Sequence, residues 1–255
     1  MPERTIVVHP FTSDARFRCV LFAGIDLGWK VNGPKEGSTA ICVIDEAGGL
    51  KQLELITSDE EILERLLAID QIWVGIDAPL LVPNLKGMRR CERMLFDRGV
   101  RALPSNVQFM ERKFGGMRGQ VLSRRLYEKG FSPSSPLDWS EKMVFEVYPY
   151  GTLWTLTNGR VPAYKRGRFE VKKSAMTEAV TALEAWDAPS ELVRTLRCEV
   201  EAARPSELKG VTDLIDSALS VICVYQHRLS RGQRTQLIGE QEHGYVLLPA
   251  VRSQA

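Results

Sequence analysis

Two apolar runs in this chain, residues 19–27 and 71–77, contain or end on the same triplet, Gly24-Ile25-Asp26 and Gly75-Ile76-Asp77. Short continuous apolar runs bounded by turn residues read as strands buried on both sheet faces, the pattern of α/β folds whose sheets are covered by helices. An acid at the end of such a run is costly to bury alone, so it caps a turn, pairs with a cation or holds a metal. Other carboxylates sit in equally apolar surroundings. Glu146 lies inside MVFEV (143–147), and Asp213 and Asp216 lie three apart, nearly on one face, in the apolar stretch 212–229. In open α/β sheets the carboxyl ends of neighbouring strands frame the crevice where ligands bind. Asp26, Asp77, Glu146, Asp213 and Asp216 are therefore the candidate catalytic residues, with Asp26, Asp77, Asp213 and Asp216 as candidate metal ligands.

The rest of the chain supports an α/β reading. Residues 38–45 and 50–57 give two more strands, with Gly48-Gly49 between them as a hairpin signal. Ser58 and Glu61 form a capping box ahead of Ile62, Leu63, Leu66 and Leu67 at helical spacing. Pro79 and Pro83 open a middle segment in which 86–98 is helical, Gly115-Gly116 marks a loop and SPSSP (132–136) is a break. After the fifth strand, 143–147, amphipathic helices are expected near 170–186 and from Pro189, then a buried helix over 212–229 and a terminal hairpin over 234–249. No linker of biased composition interrupts this order. The expectation is one domain over residues 1–255, with a basic, partly helical insertion at about 84–136.

Composition narrows the chemistry. A chain with 44% hydrophobic and 26% charged residues is neither disordered nor collagen-like. Its five cysteines include no C-x-x-C pair and it has three histidines, which argues against a zinc or disulfide framework. A metal here would be held by carboxylates, the preference of Mg²⁺ or Mn²⁺. Like charges about 4 Å apart repel by ~4 kcal/mol at an effective dielectric near 20, so converging acids need neutralising. No lysine or arginine flanks Asp26 or Asp77 closely, apart from Lys30 near the first, and two divalent ions are the expected remedy. Residues 1–18 show no signal-peptide core and no run approaches the ~20 apolar residues of a membrane helix, so a cytoplasmic protein with no membrane partner is expected.

The net charge of +2 hides an asymmetry, because residues 86–129 carry twelve basic side chains against four acids. Such a block suits a polyanion, and nucleic acid is the expected partner, with Arg89, Arg90 and Arg93 on its phosphates. The alternative is a solvated helical face paired with acids elsewhere, Glu146 among them. Lys165 is a candidate for the scissile phosphate or an exposed cation. Trp29 is either a base-stacking ring or a core residue. His227, eleven residues beyond Asp216, is too far along a helix to share its chemistry.

Three strands, a helix, two further strands and a late acid-bearing helix resemble the ribonuclease H-like fold, a mixed five-stranded sheet flanked by helices. More closely, Asp26 in GIDLGW, Asp77 in GIDAPL, Glu146 and Pro149 in FEVYP, Tyr164-Lys165, and Asp213 with Asp216 in TDLIDSAL resemble the predicted RNase H-like nucleases catalogued as domain of unknown function 429. The resemblance implies that Asp26, Asp77 and Asp216 are metal ligands, with Asp213 and Glu146 as further ligands or a water-orienting base. The glutamate that ribonucleases H carry on the helix after the third strand has Glu60, Glu61 and Glu64 as counterparts. The function expected is a two-metal phosphodiester hydrolase acting on nucleic acid. Two alternatives stand beside it: an actin-like nucleotide-binding ATPase or kinase, which Ala78-Pro79 in place of a Gly-rich loop disfavours, and a non-catalytic nucleic-acid-binding module of the same fold.

Overall fold

The computed structural model describes residues 19–31, 39–133 and 139–250; the expectations for residues 1–18 and for 134–136 lie outside them. Strands β1 (Leu21–Asp26), β2 (Thr39–Asp45) and β3 (Leu50–Ile56) form an antiparallel meander. Helix α1 (Asp59–Leu67) follows, capped where Ser58 Oγ accepts from the Glu61 N–H at 3.2 Å. Strand β4 (Ile72–Ile76) then enters parallel to β1. The basic segment folds as α2 (Arg90–Asp97), α3 (Val107–Phe114) and α4 (Arg118–Glu128). Gly115 ends α3 in the left-handed conformation, at φ 78°, which glycine adopts without strain.

Strand β5 (Ser132–Pro133) lies parallel to β6 (Lys142–Glu146), which in turn lies parallel to β4, so the sheet order is β3-β2-β1-β4-β6-β5. The sheet therefore has six strands, not the expected five. The additional strand is two residues long and falls where the Ser-Pro sequence signalled only a break. Proline gives no N–H to a ladder and is tolerated at a sheet edge, which is where β5 lies.

Four helices follow: α5 (Pro149–Leu156), α6 (Phe169–Ala185), α7 (Ser190–Ala202) and α8 (Leu208–Leu229). The hairpin β7 (Thr235–Glu240) and β8 (Gly244–Pro249) forms a separate two-stranded sheet. Its Ile238, Val246 and Leu248 pack with Cys91, Leu95 and Val100, which ties the basic insertion to the C-terminal hairpin. No described helix is long and apolar enough to cross a membrane.

Side chains alternate across the sheet, and each face has its own core. Phe22, Trp73, Phe145 and Val147 face α8 and the helices packed around it. Leu21, Ile25, Val74, Ile76 and Val144 face α1 and α4. The repeated triplet acquires its meaning here. Gly24 and Gly75 are register partners on β1 and β4, and α8 passes directly over both. A Cβ on Gly24 would stand 2.0 Å from Ser217 O and 2.2 Å from Val221 N; one on Gly75 would stand 2.7 Å from Ser220 O. Two residues further along each strand, on the same face, come Asp26 and Asp77. Glycine brings the helix close, and the aspartates meet what the helix carries. Gly24→Ala is expected to destabilise the protein by about 3 kcal/mol or more, because the obstacle is helix backbone rather than a movable side chain. Urea unfolding checks this, and a loss below about 1 kcal/mol would mean that the helix is not held there.

Candidate metal centre

Asp26 closes β1, Asp77 follows β4 and Asp216 sits on α8, and each offers a carboxylate oxygen such that all three lie within 4.8 Å of one another. The Asp77 N–H bonds Ile25 O at 2.8 Å, which carries the β1–β4 ladder one residue past the strand and fixes Asp77 beside Asp26. Asp216 is fully buried, whereas Asp26 and Asp77 are partly open to a cleft of about 1050 Å³.

The cluster is electrostatically strained. Burial, then repulsion from Asp216, Asp77 and Asp213, holds the Asp26 carboxyl well above the ordinary carboxylate range, and Lys165 only partly opposes this. Asp77 is pushed up to about 7, by burial first; Lys165 opposes, while Asp216 and Glu146 add to the rise. Burial also raises Asp216, against the lowering influence of Lys165 and Tyr164. Tyr164 Oη donates to Asp216 Oδ1 at 2.7 Å, and Lys165 Nζ stands 2.5 Å from Asp216 Oδ2. The Lys165 side chain is 51% exposed and lines the cleft. Burial works against its charge, yet Asp216, Asp77 and Asp26 together keep its ammonium above the ordinary lysine value.

The other candidates stand differently. Asp213 is buried one turn before Asp216, outside the trio, with Lys209 Nζ 2.7 Å from its Oδ2. Glu146 is also outside the trio, and the reason is register. Its partner on β4 is Ile76, not Asp77, so its side chain emerges on the opposite sheet face. There it accepts from the Leu80 N–H at 2.9 Å and from both terminal nitrogens of Arg89, at 2.9 and 2.5 Å. Arg89 is correspondingly not a surface phosphate contact. It is 4% exposed, and its Nε donates to Glu92 at 2.7 Å. Arg90 is exposed and pairs with Glu240, and Arg93 donates to Met88 O at 2.8 Å. Arg118, counted in the basic block, is also buried and binds Asp59 and Gly28 O. On α1, Glu60 pairs with Arg125 and Glu61 with Arg65, so neither joins the trio.

The stretch from residue 24 to residue 243 matches a family described as protein of unknown function (DUF429), and it includes every one of these acids. The chain belongs to that family. No curated protein and no solved structure matches it.

Within this DUF429 chain, sequence reasoning gave no role to Tyr164, Glu92, Tyr148 or Tyr150. Tyr164 is fully buried and fixes Asp216; in the sequence it stood only in the Tyr164-Lys165 pair of the resemblance, with no role attached. Tyr148 and Tyr150 line the cleft beyond β6 with ring centroids 5.9 Å apart. Trp29 lines it beyond β1, edge-on to Phe114 at 5.2 Å, with its Nε1–H on Asp77 O at 3.3 Å. Because β4 lies between β1 and β6, these aromatic pairs flank the acids. His227 is buried away from the site, bonded to Thr235 Oγ1, and burial lowers its pKa to about 4.

Proposed function

We propose that the protein is a divalent-metal-dependent phosphodiester hydrolase, a nuclease acting on nucleic acid on a ribonuclease H-like framework. The observation that carries this reading is the meeting of Asp26, Asp77 and Asp216 from a strand, a strand end and a late helix. The meander, helix and parallel strands that present them agree with that framework.

The donor set fits a hard cation. It consists of carboxylate oxygens alone, which favours Mg²⁺ or Mn²⁺. Opposite ligands of Mg²⁺ stand about 4.2 Å apart, twice its bond length, and the 4.8 Å span of the trio exceeds that by about half an ångström. The raised carboxyls point the same way, since three crowded acids gain most from a cation that lets them ionise together. Bound there, a divalent cation stabilises negative charge on oxygens entering or leaving phosphorus.

The chain's own groups supply the rest. Tyr164 holds Asp216 in one orientation, and the Trp29 indole N–H ties its ring to the Asp77 backbone. Arg101, Arg166 and Lys172 line the cleft and would grip phosphates without reading sequence, which makes binding salt-sensitive. The aromatic pairs offer faces on which unpaired bases stack. The test is cleavage of labelled single-stranded, duplex, hybrid and branched substrates with Mn²⁺, run beside Asp26→Asn. Wild-type cleavage that falls to background in Asp26→Asn is expected. No cleavage of any substrate, or equal cleavage by the variant, would end the proposal.

A further inference from the structure

We infer that Lys165 stands in for a second cation, so that the centre takes one divalent ion rather than two. The inference rests on the metal-dependent reading above and specifies its stoichiometry.

The first argument is charge balance. Asp213 and Glu146, the remaining candidate acids, already have Lys209 and Arg89 beside them. That leaves Asp26, Asp77 and Asp216, which carry three negative charges once a bound cation lets them ionise, beside the ammonium of Lys165. One divalent ion completes neutrality. A second would leave an excess of positive charge beside the fully buried Asp216, where unpaired charge is disfavoured.

The second argument is oxygen capacity. A carboxylate that bridges two ions turns one oxygen to each. In Asp216 consecutive residues engage both oxygens, Tyr164 Oη at Oδ1 and Lys165 Nζ at Oδ2. The two partners differ in charge: Tyr164 is neutral and leaves Oδ1 able to take an ion, whereas an ion on Oδ2 would stand beside the Lys165 ammonium, like charge against like charge. Tyr164 is 2% exposed, which anchors the pair of donors at its base. Lys165 is thus a positioning residue. It holds positive charge beside Asp216 on the cleft side.

The test uses the full chain stripped of metal with EDTA and titrated with Mn²⁺, followed by calorimetry and by electron paramagnetic resonance. Wild type is expected to bind one Mn²⁺ with an uncoupled spectrum. Lys165→Met is expected to take a second, spin-coupled ion or to bind the first at least about ten-fold more tightly, and Lys165→Arg to behave as wild type. Two coupled ions in wild type, or an unchanged titration in Lys165→Met, would overturn the inference while leaving the metal reading standing. A wild type that binds no Mn²⁺ would instead remove the metal reading itself. The wild-type titration alone decides the stoichiometry, and circular dichroism verifies that each variant is folded.

Discussion

Asp77→Asn is expected to make the metal-free protein more stable at pH 8, by up to about 4 kcal/mol, while removing its response to divalent ions. The sign follows from proton linkage. The Asp77 carboxyl is raised from 3.8 to about 7 in the fold, by burial first and by Asp216 and Glu146 in addition. The folded state therefore holds this proton more tightly than the unfolded chain does. Stability is lost as pH rises from about 4 to about 7, and the loss is complete above the folded value. A rise of that size corresponds to roughly 4 kcal/mol at pH 8, shrinking to about 1 kcal/mol at pH 4.5. An amide cannot ionise, so it escapes this loss. Thermal melts in EDTA should show the variant well above wild type at pH 8, with the gap narrowing towards pH 4.5. Added Mg²⁺ should close most of that gap, because a ligand at about 100 times its Kd stabilises wild type by ~2.7 kcal/mol and the variant has lost a ligand. A variant less stable than wild type at pH 8 would show that Asp77 is paired in the fold rather than strained, and the electrostatic case for a cation would weaken with it.

The triplet that organises the site was legible because it obeys strand periodicity, but only half of its meaning was. The acids of Gly-Ile-Asp were readable as misplaced charges. The glycines were not readable as helix contacts, since the approach of α8 to Gly24 and Gly75 joins residues 145 to 197 positions apart. Glu146 had two readings in the sequence, metal-site acid or partner of a basic-block arginine, and the structure shows the arginine pair. It ends an apolar strand just as Asp26 does, yet a one-residue difference in register turns it to the other face, and register between distant parallel strands has no local sequence signal. The basic block misled through counting. Arg89 and Arg118 raise the local charge as much as any exposed arginine, although both are spent on interior acids and carbonyls. Lys165 was readable as a phosphate contact or an exposed cation, but not as a partner of Asp216. Its place beside Asp216 depends on the path of the chain between α5 and α6, which has no periodicity to read.

Arg89→Met is expected to destabilise the protein by about 3–5 kcal/mol, the range for removing one partner from a buried ion pair. For a chain of this length that corresponds to a fall in Tm of roughly 6–20 °C. Arg89 holds two acids at once, Glu92 through Nε at 2.7 Å and Glu146 through both terminal nitrogens, and all three residues are under 5% exposed. Glu92 has further support from the Arg89 and Ser105 N–H groups, so the larger part of the loss should come from Glu146, left with the Leu80 N–H alone. Glu146→Gln should therefore be milder than Arg89→Met, and it should keep the full divalent-ion response in a thermal-shift titration, since Glu146 faces away from Asp26 and Asp216. Combining Arg89→Met with Glu92→Gln and Glu146→Gln should recover most of the stability, because no buried charge is then left without a partner. A Glu146→Gln variant that loses its Mn²⁺ response at unchanged stability would return Glu146 to the metal site and make the Arg89 pair a resting arrangement. Loss of stability with the response intact would confine Glu146 to joining the basic insertion to the sheet.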